Sequence, residues 1–176
     1  KLEYQVARSA SPNADLVLID GSLSSRFYMR QQKIPDKEVI ETIKKCKNIC
    51  YISKNSTSNE TFNGKLADIA YYNHATDSTG FSKLRKESRF SRPESAWEID
   101  EISYTFVRIP GTLGCAKLEL YGTEHTDDDV KSILDKIRFN CVKGYPYVLK
   151  QAHNKCVIKN RYMQRIKKML GMSGEF

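Results

Sequence analysis

The run Leu16-Val17-Leu18-Ile19, closed at once by Asp20-Gly21-Ser22, narrows the folds open to this chain more than any other feature. A short apolar run ended by turn residues is a buried strand, and this one delivers a carboxylate, Asp20, to its end. Pro35-Asp36 then opens a segment in which Val39, Ile40 and Ile43 recur at helical spacing. Lys44, Lys45 and Lys47 crowd its far end, where cations complement the helix dipole, so the helix should stop near Asn48. Ile49-Cys50-Tyr51-Ile52-Ser53 is a second apolar strand, left through the polar loop Lys54-Asn55-Ser56-Thr57-Ser58-Asn59. Strand, helix, strand in that order is the signature of an α/β fold.

The rest of the chain extends the pattern. A short helix is predicted over Lys65 to Tyr72, with Leu66, Ile69 and Ala70 on one side. Residues 73–95 are polar and should form a mobile basic loop, in which Lys83, Arg85, Lys86, Arg89 and Arg92 stand against Glu87. Ile102 to Ile109 is β-branched and aromatic, and Gly111 and Gly114 separate it from Ala116-Lys117-Leu118-Glu119-Leu120. That second segment alternates as a half-buried strand should, so the two form a β-hairpin. Thr126 caps a further helix, with Asp127, Asp128 and Asp129 in the first turn and Val130, Ile133, Leu134 and Ile137 as the apolar stripe. Gly144-Tyr145-Pro146 breaks the chain again and opens a last helix through Leu149, Ala152, His153, Cys156 and Val157 toward Ile166.

A length of 176 residues with 40% hydrophobic content suits one domain, 1–176, with one substantial core. No apolar run approaches the roughly 20 residues that cross a bilayer. The chain starts at Lys1 rather than Met and has no signal-peptide pattern, so we read it as a cytoplasmic protein lacking its extreme N-terminus. The cysteines (Cys46, Cys50, Cys115, Cys141, Cys156) show neither a CxxC pair nor zinc spacing and should be buried thiols.

The net charge is +8, and its placement says more than its size. Between Lys143 and Leu170 lie Lys143, Lys150, Lys155, Lys159, Arg161, Arg165, Lys167 and Lys168, with no Asp or Glu. Charge concentrated in this way attracts polyanions, although a solvated helix face has the same composition.

Few residues have settings that suggest chemistry. Asp20 ends a strand at a Gly turn, where an acid can face a ligand or simply shape the turn. Glu38 or Glu41 could turn toward it from the next helix, or stay in solvent. His153 sits in an amphipathic helical pattern among bases with no acids, about two turns beyond Tyr145.

These residues fall within recognisable motifs. Gly144-Tyr145-Pro146-Tyr147-Val148-Leu149-Lys150-Gln151-Ala152-His153 resembles the GYPYPLxxAH signature near the end of NurA nucleases, with Val148 in place of the usual second proline. Leu18-Ile19-Asp20-Gly21-Ser22 resembles the family's first motif, a strand ending in DGS. Tyr51-Ile52-Ser53-Lys54-Asn55-Ser56 resembles its second, usually ISKDS. The resemblance implies an RNase H-like core, a central mixed β-sheet with flanking helices, gathering carboxylates around Mn2+, with Mg2+ as the other candidate.

It further implies a metal-dependent deoxyribonuclease that processes single-stranded DNA and DNA ends in double-strand-break repair, working as a homodimer with a HerA-type hexameric ATPase. Asp20, Glu38, Asn55 and His153 would hold the metal, and Tyr145 would complete the catalytic set. Glu41 is the alternative helix acid. Lys54, Lys83, Arg85, Lys86, Arg89, Lys150, Lys155 and Lys159 would grip DNA. Asn55 departs from the pattern: it stands where the family has an aspartate and offers a carbonyl oxygen without charge, which binds a hard cation less well. Two readings follow, a nuclease that tolerates the amide and a catalytically impaired relative that binds DNA or a protein partner.

Overall fold

The computed structural model describes residues 2–23, 37–56, 58–59, 65–87, 102–111, 114–142 and 145–156, with positions 162, 165, 168 and 169. Helix α1 (Leu2–Ala10) and a 3-10 turn (Ser11–Asn13) lead into strand β1 (Val17–Asp20). Helix α2 (Lys37–Lys45) precedes β2 (Ile49–Ser53), and α3 (Asp68–Ala75) precedes the short strands β3 (Gly80–Phe81) and β4 (Arg85–Glu87). The long hairpin β5 (Ile102–Arg108) and β6 (Ala116–Tyr121) is followed by α4 (Asp127–Phe139), the two-residue strands β7 (Cys141–Val142) and β8 (Tyr145–Pro146), and α5 (Tyr147–Cys156).

The main sheet is mixed, as expected, with the order β1-β2-β6-β5-β3 and β4 also paired to β5. β1 and β2 run parallel from Val17↔Ile49 to Asp20↔Ile52, while β2–β6 and β6–β5 are antiparallel. Helices cover both faces. Tyr4 and Ala7 of α1 and Ile43 of α2 pack on Ile19, Ile49, Tyr51 and Ile102. On the other face Ile137 of α4 and Leu149 of α5 pack on Cys50, Ile52, Val107, Leu118 and Leu120. Because successive strand residues point to opposite faces, a sheet covered on both sides buries whole strands, and every residue of β2 and β5 is buried. Each fully buried aliphatic side chain contributes roughly 1.5–3 kcal/mol.

This double coverage overturns the half-buried reading of β6. Lys117 and Glu119, which alternation placed in solvent, are 3% and 0% exposed. They survive there by pairing, Lys117 Nζ to Glu119 Oε1 at 2.8 Å, with the ammonium 4.4 Å from the centre of the Tyr104 ring. Residues 73–95 also differ from the expected loop, since α3 runs on to Ala75 and β3 and β4 follow within the described part. α3 itself starts at Asp68 rather than Lys65, because Asp68 is buried, accepts a hydrogen bond from Ser58 Oγ at 2.7 Å, and donates its own amide to Ser58 O. α1 has no counterpart in the sequence reading: among its described side chains Tyr4 and Ala7 are buried while Val6 is exposed, so the apolar positions do not line up as one stripe.

Elsewhere expectation and structure agree. The hairpin forms in the expected place. Thr126 caps α4 in a reciprocal capping box, accepting from the Asp129 amide at 3.3 Å while its own amide donates to Asp129 Oδ2 at 2.8 Å. Those hydrogen bonds hold the Asp129 carboxyl below its ordinary range. Cys50 and Cys115 are buried and Cys46 and Cys141 half-buried, all four as free thiols. Burial pushes the Cys50 thiol far up. No helix among the described residues is long and apolar enough to cross a membrane.

Candidate active site

The parallel strands β1 and β2 end side by side, and a site forms where their chains leave the sheet. Asp20 is the last residue of β1. Gly21 follows with φ at +118°, a region that L side chains rarely adopt, so the glycine of the Asp-Gly-Ser turn is required by geometry. Its amide extends the strand pairing by donating to Ile52 O at 2.9 Å. Two residues later the turn is anchored twice by Leu23. The Leu23 side chain is fully buried in the core, and its amide donates to Glu119 Oε2 at 2.6 Å.

A cleft of about 600 Å³ opens over these strand ends, lined by Asp20, Gly21, Ser53, Lys54, Asn55, Val142, Lys150, His153 and Asn154. Four elements supply its described lining: β1 with its turn, β2 with its exit, β7 through Val142, and α5, which packs against β1. Lys150, His153 and Asn154 sit three and four positions apart on α5 and so share one helix face. Asp20, Lys54, Asn55, Lys150 and His153 are all exposed. Among the described lining residues Asp20 is the one carboxylate, set against the two ammonium groups of Lys54 and Lys150. Such a balance favours an anionic ligand.

The structure therefore brings together Asp20, Lys54, Asn55, Lys150 and His153 from three separate motifs. Glu38 lies on α2, and Tyr145 on β8 directly before α5, but both side chains fall outside the described residues. Glu41, the alternative helix acid, is engaged with Lys45 one turn on, at 3.4 Å. Arg85 and Lys86 lie on β4, and Lys83 just before it. β4 is four strands from β1, roughly 19 Å at normal strand spacing, so these bases do not join the cleft. Lys155 is exposed on α5, whereas Arg89 and Lys159 lie outside the described residues. Asn154 was missed, because nothing in an asparagine one place beyond the histidine distinguishes it in sequence.

The donors present suit a hard or borderline divalent cation. A carboxylate, an amide carbonyl and an imidazole match the oxygen and nitrogen preferences of manganese and magnesium, ions that keep part of their water shell. No three His, Cys, Asp or Glu side chains cluster at metal distance among the described residues.

The chain is similar to known proteins of one family. The NurA domain family matches residues 1–158. The chain is similar to the DNA double-strand break repair nuclease NurA of Sulfurisphaera tokodaii, at 25% identity over 159 residues, covering 87% of this chain and 46% of the relative. It is also similar to the probable DNA double-strand break repair nuclease NurA of Methanocaldococcus jannaschii, 29% identical over 144 residues, covering 69% of this chain and 36% of the relative. The crystal structure of the NurA nuclease from Sulfolobus solfataricus has the same fold, with a TM-score of 0.79 at 22% identity, covering 97% of this chain and 64% of that one. The chain thus spans less than two thirds of the length of each of these proteins.

Proposed function

The chain belongs to the NurA family, and from that premise we propose that it is a metal-dependent deoxyribonuclease acting on single-stranded DNA and DNA ends in double-strand-break repair. The observation that carries the proposal is the convergence of Asp20, Asn55 and His153 with Lys54 and Lys150 in one cleft at the ends of parallel strands. A phosphodiester needs charge neutralisation, a held water and a proton carrier, and this set offers all three.

Asp20, Asn55 and His153 would hold manganese or magnesium together with Glu38; the ion would make a bound water acidic and polarise the scissile phosphate. Lys54 and Lys150 would seat the flanking phosphates and set the strand's register without reading bases. The His153 imidazole would alternatively serve as a proton carrier. Tyr145, two residues before α5, would orient the phosphate oxygen or the water. An RNase H-like assignment of the mixed sheet, a homodimer, and a HerA-type ATPase as partner complete the proposal as its family-derived part.

The test is a substrate panel, with end-labelled single-stranded DNA, duplex DNA and RNA incubated with manganese, magnesium or EDTA. The reading expects metal-dependent cutting of DNA and none in EDTA; cutting of RNA alone, or in EDTA, would refute it. One observation favours the rival, a DNA-binding relative without catalysis: the amide of Asn55 lies in the cleft where the family pattern has a charged ligand. Tight DNA binding with no cleavage, and cleavage gained by Asn55→Asp, would establish that rival.

A further inference from the structure

We propose that Glu119 is a positioning residue of this site, holding from inside the core the backbone turn that aims Asp20 into the cleft. The inference rests on the nuclease reading for what Asp20 does, but not for how its turn is held. Glu119 cannot reach the cleft itself. The rows Ile19↔Tyr51 and Tyr51↔Glu119 put it on the face of Ile19, opposite to Asp20, and it is absent from the cleft lining.

What Glu119 does reach is Leu23. Its Oε2 accepts the Leu23 amide at 2.6 Å, from a residue 96 positions away in sequence. A charge-assisted bond of this length is among the stronger ones a backbone amide can make. Its Oε1 meets Lys117 Nζ at 2.8 Å, and the ammonium in turn lies over the Tyr104 ring. Stability alone gives little reason for this dyad, since apolar residues commonly replace a buried ion pair without loss. The dyad does supply a fixed acceptor for an amide that the buried Leu23 keeps from water. Together with Gly21 N–H on Ile52 O, it pins the turn on both sides of Ser22, so that Asp20 leaves β1 in a fixed direction. Misplacing a reacting group by about 1 Å through a change away from the chemistry can cost on the order of 100-fold in rate.

The experiment compares the wild-type chain with Lys117→Met/Glu119→Gln, which removes the charges but keeps an amide oxygen for Leu23, and Lys117→Met/Glu119→Leu, which removes the acceptor. Manganese affinity is read by titration, and hydrogen exchange at the Leu23 amide is read in metal-free protein. We expect the Gln variant to stay close to wild type. The Leu variant should lose Leu23 protection, bind manganese more weakly, and lose up to about 100-fold in kcat rather than KM for DNA.

A folded Leu variant matching the Gln variant in both readouts overturns the proposal, and so does a Gln variant that falls as far as Leu. Should the Leu variant not fold, the wild type decides: a Leu23 amide exchanging as fast as an open loop overturns the clamp, and one as slow as the β2 amides supports it. A wild-type chain that binds no manganese refutes the nuclease reading instead, leaving the clamp to stand or fall on Leu23 protection.

Discussion

Replacing Lys117 by methionine while leaving Glu119 in place strands a carboxylate in the core. At 2.8 Å and an effective dielectric of 20 the pair has about 6 kcal/mol of gross attraction. Desolvating two ions costs several kcal/mol each, so the net value of the intact pair is near zero. The effect of breaking it is therefore much larger than the effect of deleting it. Lys117→Met alone should destabilise by about 3–5 kcal/mol, because Glu119, 0% exposed, then loses the ion pair that offsets its burial. Glu119→Gln alone should lose a similar amount by stranding Lys117. Both together should lose well under the sum, and urea denaturation followed by circular dichroism would measure the coupling. For a chain of this size the single variants should melt roughly 10 °C lower. A loss below about 1 kcal/mol for Lys117→Met, or simple additivity of the two, would refute the reasoning.

Further outcomes follow from other interactions. Gly21→Ala should cost about 1–3 kcal/mol at φ +118° and disturb the cleft more than the core, read by comparing manganese affinity with melting temperature. Thr126→Ala should cost about 1 kcal/mol by removing the α4 cap, with no change in DNA binding. A hydrogen bond from Lys47 holds the Glu124 carboxyl down from 4.5 to about 2. A depressed carboxylate stabilises above its ordinary value and loses that contribution as pH falls through the folded one, so Glu124→Gln should destabilise at pH 7 and cease to matter near pH 2. Since the pair is more than half exposed on both sides, the effect should not exceed about 1 kcal/mol. Replacing Lys54 or Lys150 by alanine should flatten the salt dependence of single-strand binding by about 0.7 for each phosphate that is no longer neutralised.

Much of this architecture is legible in the sequence, for a physical reason. β2 and β5 are buried along their whole length and β1 carries Val17, Leu18 and Ile19, so they appear as segments rich in apolar and β-branched residues, and Gly21 and Pro110 mark the ends of β1 and β5. The same double coverage hid β6, whose alternating Lys117 and Glu119 imitate a solvent face while lying in the core. The Leu23 amide, a partner elsewhere in the chain, engages Glu119, which pairs with Lys117, and no local pattern announces such a partner. The cleft was legible because Asp20, Lys54, Asn55, Lys150 and His153 lie in three compact motifs. Arg85 and Lys86, read as DNA contacts, lie on β4 at the far side of the sheet from β1, a placement that charge in sequence does not reveal. Lys150, read as a DNA contact, proved to share the helix face of His153.

The central claim is that the cleft over β1, β2 and α5 performs the chemistry, and the most direct measurement is the rate of manganese-dependent cleavage of end-labelled single-stranded DNA by the wild type, Asp20→Ala and His153→Ala at saturating DNA. Both side chains are exposed, so neither substitution should unfold the chain. The account predicts a loss of at least about 100-fold in each variant with DNA binding retained. A wild-type rate in either folded variant would contradict it.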